Sequence, residues 1–450
     1  MKENICSPVL SLTITRNRNL DCTYCYFPNK GNITISKDVL EIVIRNYFSF
    51  FLKDVTESRI LLSGGEPLLE KDLIFHVMEF SSSIAEKLGK SISFTLDTNG
   101  VLLSKDVVDK LKHYDVYVMT SIDGKKEVHD KQRPLAKTKT GSHEIIMSNV
   151  NYALNHLGNK NVAVRFTLLS DSVGKLFETF TYFHNNGFRI IDFAPNYEEY
   201  WSQDNIQMYG SEILKISEYI IENSIENKLI DNYLNFHLGI SNTLSAYGHP
   251  CCIIPTVDTN GDFYACHRFI DNKDFLLGNY NNFSNIVASI RTLSKKYINY
   301  WQENGEKALA SCPANNVCHN LPAFEVSDYF RTIINIMMEE TEQALFNKMD
   351  CIYISKKIDY TIYSDKDEAD EFMLVNNDNG DYILLNETGN ILAAIIIEKS
   401  NISFATLYDT FIDFIEDNDN SIQIKKDILS FLKELQLEGI LSLSIIPNNI

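Results

Sequence analysis

The sequence lacks several features that would indicate a membrane or a nucleic-acid partner. Its longest strongly apolar run, Ile391–Ile397, is far shorter than the ~20 residues of a membrane-spanning helix. Residues 1–12 have neither the basic stretch nor the apolar core of a signal peptide. Basic residues are few, 41 Lys and Arg against 60 Asp and Glu, and the net charge of -19 disfavours nonspecific binding to nucleic acid. We therefore expect a cytoplasmic protein with no membrane and no nucleic-acid partner.

Length and charge distribution indicate more than one domain. A chain of 450 residues suits about three domains at ~150 residues each. Residues 361–450 contain 17 Asp and Glu but only 5 Lys, which suggests a separate acidic module. We predict domains at residues 1–245, 246–357 and 358–450.

Residues 10–194 alternate short apolar runs with amphipathic segments, a pattern typical of an α/β fold with a parallel sheet. The predicted strands are Val9–Thr13, Arg59–Ser63, Ser93–Asp97, Val116–Ile122, Val162–Leu168 and Ile190–Ala194. Helical patterns cover residues 37–52, 71–88, 143–156 and 173–185. The order predicts a sheet curled into a barrel or part of one, with the site on loops at the carboxyl ends of the strands.

The segment Arg18-Asn19-Leu20-Asp21-Cys22-Thr23-Tyr24-Cys25-Tyr26 follows the first predicted strand. It resembles the cluster loop of radical S-adenosylmethionine (SAM) enzymes, which implies a partial (β/α)6 barrel. In that family three cysteines hold a [4Fe-4S] cluster, and its fourth iron binds SAM. Cys22 and Cys25 match the second and third ligands, and Arg18 replaces the first.

A guanidinium stays protonated and cannot ligate iron. With two thiolates the cluster would have two irons without a protein ligand. Arg18 could instead pair with Cys22 or Cys25, or with an anion, and Asp21, Cys6 or an external thiol could fill the gap.

Polar segments at the next strand ends extend the resemblance. Ser63-Gly64-Gly65-Glu66-Pro67 is similar to the family's Gly-Gly-Glu segment, which binds the amino group of SAM. Thr98-Asn99-Gly100 and Ser121-Ile122-Asp123-Gly124 match segments that line the SAM site. His129, Asp130, Arg133, Gly141 and Ser142 have the spacing of peptide-modifying members. The resemblance implies SAM binding by Gly64, Gly65, Glu66, Asn99, Ser121, Asp123 and Arg165, the last toward the SAM carboxylate.

Cys252, Gly261 and Cys266 resemble the opening of a SPASM domain, which holds auxiliary clusters in peptide maturases. Leu309 and Pro322 occupy two ligand positions, so both usual clusters cannot be complete. One site remains, from Cys252, Cys266, Cys312 and Cys318, for a single cluster or a tetrahedral zinc. Cys251 competes with Cys252, and thiols packed as small hydrophobes are the alternative.

The segment from Asp381 to Gly389 and the helical patterns after it resemble the PqqD family. These winged-helix modules, or RiPP recognition elements, bind the leader of a precursor peptide as an added strand. We predict a hairpin of residues 372–375 and 381–385, then helices at 386–397, 404–415 and 424–438.

Two functions are consistent with these motifs. The first is maturation of a ribosomally synthesised peptide by thioether or carbon crosslinking of a leader-bound precursor, with a reductant protein as a second partner. The second is a catalytically defective homologue that acts as a leader-binding scaffold or as a partner of an active maturase.

Overall fold

The computed structural model describes residues 8–25, 27, 31–53, 55–196, 199–223, 225–227, 230–231, 234–235, 238, 254–304, 328–364, 372–414 and 421–445. Its contacts divide the chain into two units. The first comprises residues 1–209 and 247–333, and the second comprises residues 210–246 and 334–450. The domain boundaries near residues 245 and 357 stay predictions.

A nine-stranded sheet forms the centre of the first unit in the part of the chain described. Its strands are β1 Val9–Thr15, β2 Glu57–Gly64, β3 Ser91–Thr98, β4 Val116–Ser121, β5 Val162–Leu168, β6 Ile190–Pro195, β7 Thr256–Val257, β8 Asp262–Tyr264 and β9 Leu276–Asn279. The order is β6-β5-β4-β3-β2-β1-β7-β8-β9, parallel from β6 to β7 and antiparallel beyond. The predicted α/β fold with a mostly parallel sheet is confirmed, together with its six predicted strands.

The helices follow the amphipathic segments. They are α1 Lys37–Asn46, α2 Lys71–Lys87, α3 Lys105–Leu111, α4 Lys126–Gln132, α5 His143–Leu157, α6 Leu176–Asn185, α7 Gln203–Asn223, α8 Phe283–Asn304, α9 Asp328–Asn347, α10 Glu387–Lys399, α11 Phe404–Ile412 and α12 Ser421–Leu437. Ser36 caps α1, because its Oγ accepts from the Val39 N–H at 3.2 Å. A π-helical turn at Tyr47–Phe51 continues α1. None of the described helices is long and apolar enough to span a membrane.

Strand β1 shows how the sheet is built. Leu10, Leu12 and Ile14 are fully buried on one face, and Ser11 and Thr13 are buried on the other. Both faces are therefore covered, as expected for a parallel strand in the middle of a sheet. The described strands leave β6 and β9 at the two edges, so the sheet is open in the part of the chain described.

The second unit contains two small antiparallel sheets in its described part. One consists of β14 Asn401–Ser403, β10 Tyr353–Lys356 and β15 Leu441–Ser444, and the other of β11 Tyr360–Ser364, β12 Phe372–Asn376 and β13 Tyr382–Leu385. The predicted hairpin is present as β12 and β13. Gly439 follows α12 with a φ of 75°, the left-handed conformation that ends many helices.

Arg16 anchors the end of β1 to the β7–β8 region. Its guanidinium contacts Asp258, and it also donates to both carboxylate oxygens of Asp271 at 2.9 and 3.0 Å. The Arg16 and Asp258 side chains are only 7% and 1% exposed. These contacts join segments more than 240 residues apart in the sequence, so they fix the position of β7 against β1.

Asp258→Ala should therefore destabilise the protein. Removing one partner of a buried ion pair leaves Arg16 with the partly exposed Asp271 alone, and we expect the free energy of unfolding to fall by about 3 kcal/mol. Urea unfolding followed by circular dichroism measures the change. The control is Asp274→Ala, at an exposed position in the same unit. Equal losses in the two variants would contradict the role of the Arg16 contact.

Candidate functional site

The loop after β1 carries the two cysteines predicted as cluster ligands, and a second segment holds it. The Thr23 N–H donates to the Gln132 carbonyl at 3.0 Å, and the Asp21 N–H donates to the Pro134 carbonyl at 2.9 Å. The loop is thus paired with the end of α4, at the carboxyl edge of the parallel sheet, where the sequence predicts the site.

Arg18 lies against Cys25. Its Nη1 donates to Cys25 Sγ at 2.8 Å, and its Nη2 donates to the Phe27 carbonyl at 3.0 Å. Cys22 and Cys25 are the first and last residues of one turn, since the Cys25 N–H donates to the Cys22 carbonyl at 3.3 Å. Burial raises the pKa of the Cys22 thiol, although the Arg133 guanidinium acts to lower it. Of the pairings left open for Arg18, the structure has the one with Cys25.

These residues do not fit a [4Fe-4S] cluster. Two thiols stand where the family uses three, and Arg18, at the position of the first ligand, is a cation that donates to one of them. Asp21, an alternative ligand, is paired with Lys139 Nζ at 2.6 Å. Cys6 lies outside the described residues. Over the described part of the chain, no three His, Cys, Asp or Glu side chains converge as a metal site.

Gly64 and Gly65 let the end of β2 pack against the loop after β1. A Cβ at Gly64, where φ is 138°, would lie 2.3 Å from the Thr15 carbonyl oxygen. A Cβ at Gly65 would lie 2.2 Å from the Asn17 carbonyl oxygen. Any larger residue would push the two strand ends apart. The close approach is toward the chain itself, and SAM binding by these two glycines stays a prediction.

Glu66 is fully buried and bonded within the protein. Its Oε1 accepts from the Leu68 N–H at 3.0 Å and from Thr98 Oγ1 at 2.8 Å. Its Oε2 accepts from the Asn99 N–H at 2.8 Å. Burial nonetheless raises the pKa of Glu66 to about 7. Glu66 thus fixes the loop after β3, and its predicted contact with SAM stays a prediction.

Asn99 connects the third strand end to the loop after β1. Its Nδ2 donates to Asn19 Oδ1 at 2.7 Å, and its Oδ1 accepts from the Val101 N–H at 3.0 Å. The Asn19 Nδ2 is buried without a hydrogen-bond partner in the described part of the chain. This pair therefore leaves an unused donor near the carboxyl ends of the strands.

Asp123 forms a buried ion pair with Arg133. Arg133 Nε and Nη2 donate to the two carboxylate oxygens at 2.8 and 3.0 Å. The Tyr24 hydroxyl donates to Oδ2 at 2.6 Å, and the Thr167 N–H donates to Oδ1 at 3.2 Å. Burial raises the pKa of Tyr24 well above its ordinary value. The Asp123 carboxylate, which the sequence predicts to bind a ligand, thus accepts hydrogen bonds from the loop after β1 and from β5 as well as from Arg133.

His129, Asp130 and Ser142 hold this ion pair in place, a role that the sequence did not reveal. His129 Nδ1 accepts from the Asp123 N–H at 3.2 Å, and its Nε2 is 3.0 Å from Ser142 Oγ. Because Ser142 Oγ donates to the Arg133 carbonyl at 2.7 Å, His129 Nε2 must carry the proton. Burial lowers the pKa of His129 to about 4, so the ring is neutral.

Asp130 and Gly141 complete the same network. Asp130 Oδ1 accepts from the Ser142 and His143 N–H groups at 2.8 and 2.9 Å, at the start of α5. A Cβ at Gly141 would lie 2.1 Å from Asp130 Oδ2. The spacing noted in the sequence therefore encodes a scaffold for Arg133. The sequence contained one signal for this role, because the motif combines a glycine, Gly141, with Asp130, a residue type that often caps a helix.

The interior face of the sheet, the one with Ser11 and Thr13, carries an apolar cluster on β4, β5 and β6 and polar residues nearer their carboxyl ends. Ser11 and Thr13 are buried, and neither hydroxyl has a hydrogen-bond partner among the residues described. In strand register Ser121 lies beside Arg165, and Arg165 lies beside Asp192 on the same face. Arg165 is 47% exposed and donates to Asp192 Oδ2 at 3.4 Å. The Ser121 hydroxyl and the Arg165 guanidinium are donors that fit the carboxylate of SAM. When bound, SAM would supply a sulfonium and an amino-acid group.

Only one of the four predicted auxiliary ligands is described. Cys266 is half-buried, and its Sγ lies 3.6 Å from His267 Nδ1. Cys252, Cys312 and Cys318 lie outside the described residues, as do Cys251, Leu309 and Pro322. The auxiliary site stays a prediction.

Comparison with protein families and curated relatives identifies the first unit. The model described as the radical SAM superfamily matches residues 12–180. The uncharacterised protein MJ0907 of Methanocaldococcus jannaschii is 32% identical over 130 residues, which cover 29% of this chain and only 43% of that protein. A probable GTP 3',8-cyclase of Methanococcus aeolicus is 31% identical, covering 48% of this chain and 67% of that protein. A cysteine-type anaerobic sulfatase-maturating enzyme of Clostridium novyi is 23% identical, covering 56% and 71%.

Solved structures share the fold. The structure of anSMEcpe with bound AdoMet has a TM-score of 0.64 and 18% identity, covering 75% of this chain and 98% of that chain. Streptococcus suis SuiB bound to the precursor peptide SuiA has a TM-score of 0.50 and 13% identity, covering 72% and 75%. At these identities the likeness concerns the fold alone.

Glu66 should make stability depend on pH. Because burial raises its pKa from 4.5 to about 7, the folded chain binds this proton more tightly than the unfolded chain. Stability should therefore fall as pH rises from 4.5 to about 7, by up to about 3 kcal/mol. Urea unfolding across this range should show a steeper loss for the wild type than for Glu66→Gln. Glu86→Gln, at an exposed position on α2, should keep the wild-type slope, and equal slopes in all three proteins would contradict the assignment.

Proposed function

We propose that this chain, which belongs to the radical SAM superfamily, takes part in the maturation of a ribosomally synthesised peptide as a peptide-binding scaffold for an active maturase. The superfamily implies SAM and a [4Fe-4S] cluster. Among proteins of similar fold, SuiB has been solved with a precursor peptide, and a curated relative is named as a sulfatase-maturating enzyme. A bound precursor peptide or the maturation of a protein is thus named for these two neighbours, whereas the relative from Methanococcus aeolicus is named as a probable GTP 3',8-cyclase.

The single observation behind the scaffold role is the Arg18 contact. The guanidinium donates to Cys25 Sγ at 2.8 Å from the position where the family has its first cysteine. A cation there both removes one thiolate and engages a second. An iron–sulfur cluster depends on thiolates for its assembly, so this loop is suited to a role without a barrel cluster.

A groove in the second unit supports peptide binding. It lies between β13 and α12, has a volume of about 410 Å³, and is lined by Leu384, Phe431, Glu434, Leu437 and Glu438, among others. Leu384 and Leu437 are 59% and 58% exposed. An exposed apolar strip beside a strand suits an extended peptide that adds to the sheet edge.

The main chain of β13 is oriented for such addition. The Asn376 N–H donates to the Asp381 carbonyl at 2.8 Å, so these opposed residues form a hydrogen-bonded pair. Because hydrogen-bonded and non-bonded pairs alternate in an antiparallel ladder, Tyr382 and Leu384 direct their N–H and C=O groups away from β12. Strand β13 ends its sheet in the described part of the chain, so these groups suit pairing with a peptide. Glu434 and Glu438 at the groove favour a peptide with basic residues.

The second candidate is a catalytic maturase that forms a thioether or carbon crosslink. It is favoured by the polar interior at Ser121 and Arg165, which fits SAM. In that case an external ligand would have to take the place of the missing cysteine as a ligand of the cluster, and a reductant protein would be a partner. The measured iron content distinguishes this candidate from the scaffold.

Arg18→Cys should create an iron site that the wild type lacks. After anaerobic reconstitution with iron and sulfide, we expect the variant to bind about four more irons per chain than the wild type, because it restores the third thiolate. Cys22→Ala should remove those irons from the variant and leave the iron content of the wild type unchanged, which separates the barrel from any auxiliary site. About four irons in the wild type that are lost with Cys22→Ala would overturn the scaffold role in favour of the catalytic one.

Leu384→Pro should weaken peptide binding more than Leu384→Ala does. Proline removes the outward N–H of β13 without breaking its ladder with β12, whereas alanine removes only the side chain. The probes are synthetic peptides that carry basic residues to match the acidic lining of the groove, and fluorescence anisotropy measures their Kd. We expect a further rise in Kd of about tenfold for proline, equivalent to about 1.4 kcal/mol. Tyr363→Ala, on the opposite edge strand β11, is the control, and equal Kd values for the proline and alanine variants would contradict strand addition.

A further inference from the structure

We propose that Cys22 and Cys25 are a thiol–disulfide pair, in which Cys25 reacts first with a low-molecular-weight disulfide and Cys22 then closes the intramolecular bond. The inference is independent of the proposed function, because it concerns the chemistry of the loop whether or not a peptide binds. It rests on the backbone turn between the two cysteines and on the contact of Arg18 with one of them.

The turn brings the two cysteines within reach of each other. The Cys25 N–H donates to the Cys22 carbonyl at 3.3 Å, which defines a four-residue turn with its first and last Cα atoms less than about 7 Å apart. Disulfides span Cα separations of about 4.4–6.8 Å. Both thiols are free and half-buried, so neither is sealed in the core.

The charges around the two sulfurs differ. Cys25 Sγ receives a direct hydrogen bond from the Arg18 guanidinium at 2.8 Å. Cys22 lies near Arg133, whose guanidinium is already paired with Asp123. A cation in contact with sulfur stabilises the negative charge that the attacking sulfur carries. Arg18 therefore selects Cys25 as the attacking thiol and leaves Cys22 to resolve the intermediate.

The reaction with oxidised glutathione balances in two steps. Cys25 sulfur, after giving its proton to solvent, attacks one sulfur of the glutathione disulfide, and the other leaves as a thiolate with the electron pair of the broken bond. Cys22, after giving its proton to solvent, then attacks the mixed disulfide at the Cys25 sulfur, and the second glutathione leaves as a thiolate with the electron pair of the broken bond. Two thiols of the protein are oxidised, and one glutathione disulfide is reduced to two thiols.

The test treats the full chain with oxidised glutathione after a chelator has removed metal. Trypsin cleavage at Arg18 and Lys30 releases residues 19–30, which contain both cysteines. After the remaining thiols are alkylated, mass spectrometry should show this peptide unalkylated and lighter by two hydrogens. Dithiothreitol should reverse the change. A peptide that stays alkylated at both cysteines, while dithiothreitol in the same buffer is fully oxidised, would overturn the proposal.

Single variants then assign the order of attack. In Cys22→Ser, Cys25 should form its mixed disulfide with glutathione at least about tenfold faster than Cys22 forms one in Cys25→Ser. Adding Arg18→Met to Cys22→Ser should slow the adduct on Cys25 by about tenfold, and Arg18→Lys should restore part of the rate. Cys351, a free half-buried cysteine elsewhere, should react at one rate in all variants. Faster reaction of Cys22 than of Cys25, or a rate at Cys25 that is the same with and without Arg18, would contradict the assigned order.

Discussion

The ion pair between Asp123 and Arg133 is the interaction on which the candidate site depends. Its carboxylate joins the end of β4 to the end of α4, to the loop after β1 through Tyr24, and to β5 through the Thr167 N–H. Both side chains are almost fully buried. Two charges removed from water must be satisfied by each other and by further hydrogen bonds, and these partners come from the end of α4, the loop after β1 and the end of β5. The pair therefore sets the spacing of the segments at the carboxyl ends of the strands.

The parallel sheet could be predicted because each strand is a short apolar run that ends in polar or glycine residues. Leu10, Leu12 and Ile14 alternate with Ser11 and Thr13, and the same kind of segment recurs at regular intervals. These signals are local, so they can be recognised in the sequence without knowledge of the tertiary structure. The contact of Arg16 with Asp258 had no such signal, since the residues are 242 positions apart. An arginine next to a predicted loop looks the same whether it faces solvent or a buried carboxylate.

The roles of the strand-end carboxylates were harder to predict than their positions. Glu66 and Asp123 were expected to face a ligand, and the structure gives each of them a set of donors from the chain itself. A sequence shows that an acceptor stands at a strand end but not which donors will reach it. The His129 and Asp130 spacing was likewise noticed as a family feature, while its physical role, holding Arg133 and capping α5, emerged only from the geometry. The predicted SAM contacts therefore stay predictions, with Arg165 and Ser121 on the interior face as the residues best suited to them.

The loop after β1 is held by bonds within the protein itself. In many small metal sites the ligand loop folds only when the ion binds. Here the loop is paired through backbone bonds with residues 132–136, and Tyr24 is tied to the Asp123 ion pair. A loop held in this way can lose a ligand without losing its conformation. Arg18 could therefore replace a cysteine at little structural cost, and its guanidinium found an acceptor in the thiol that remained, Cys25. The same argument explains why the fold is a poor guide to the chemistry at this position, since the scaffold that would present three thiolates presents two thiols and a cation equally well.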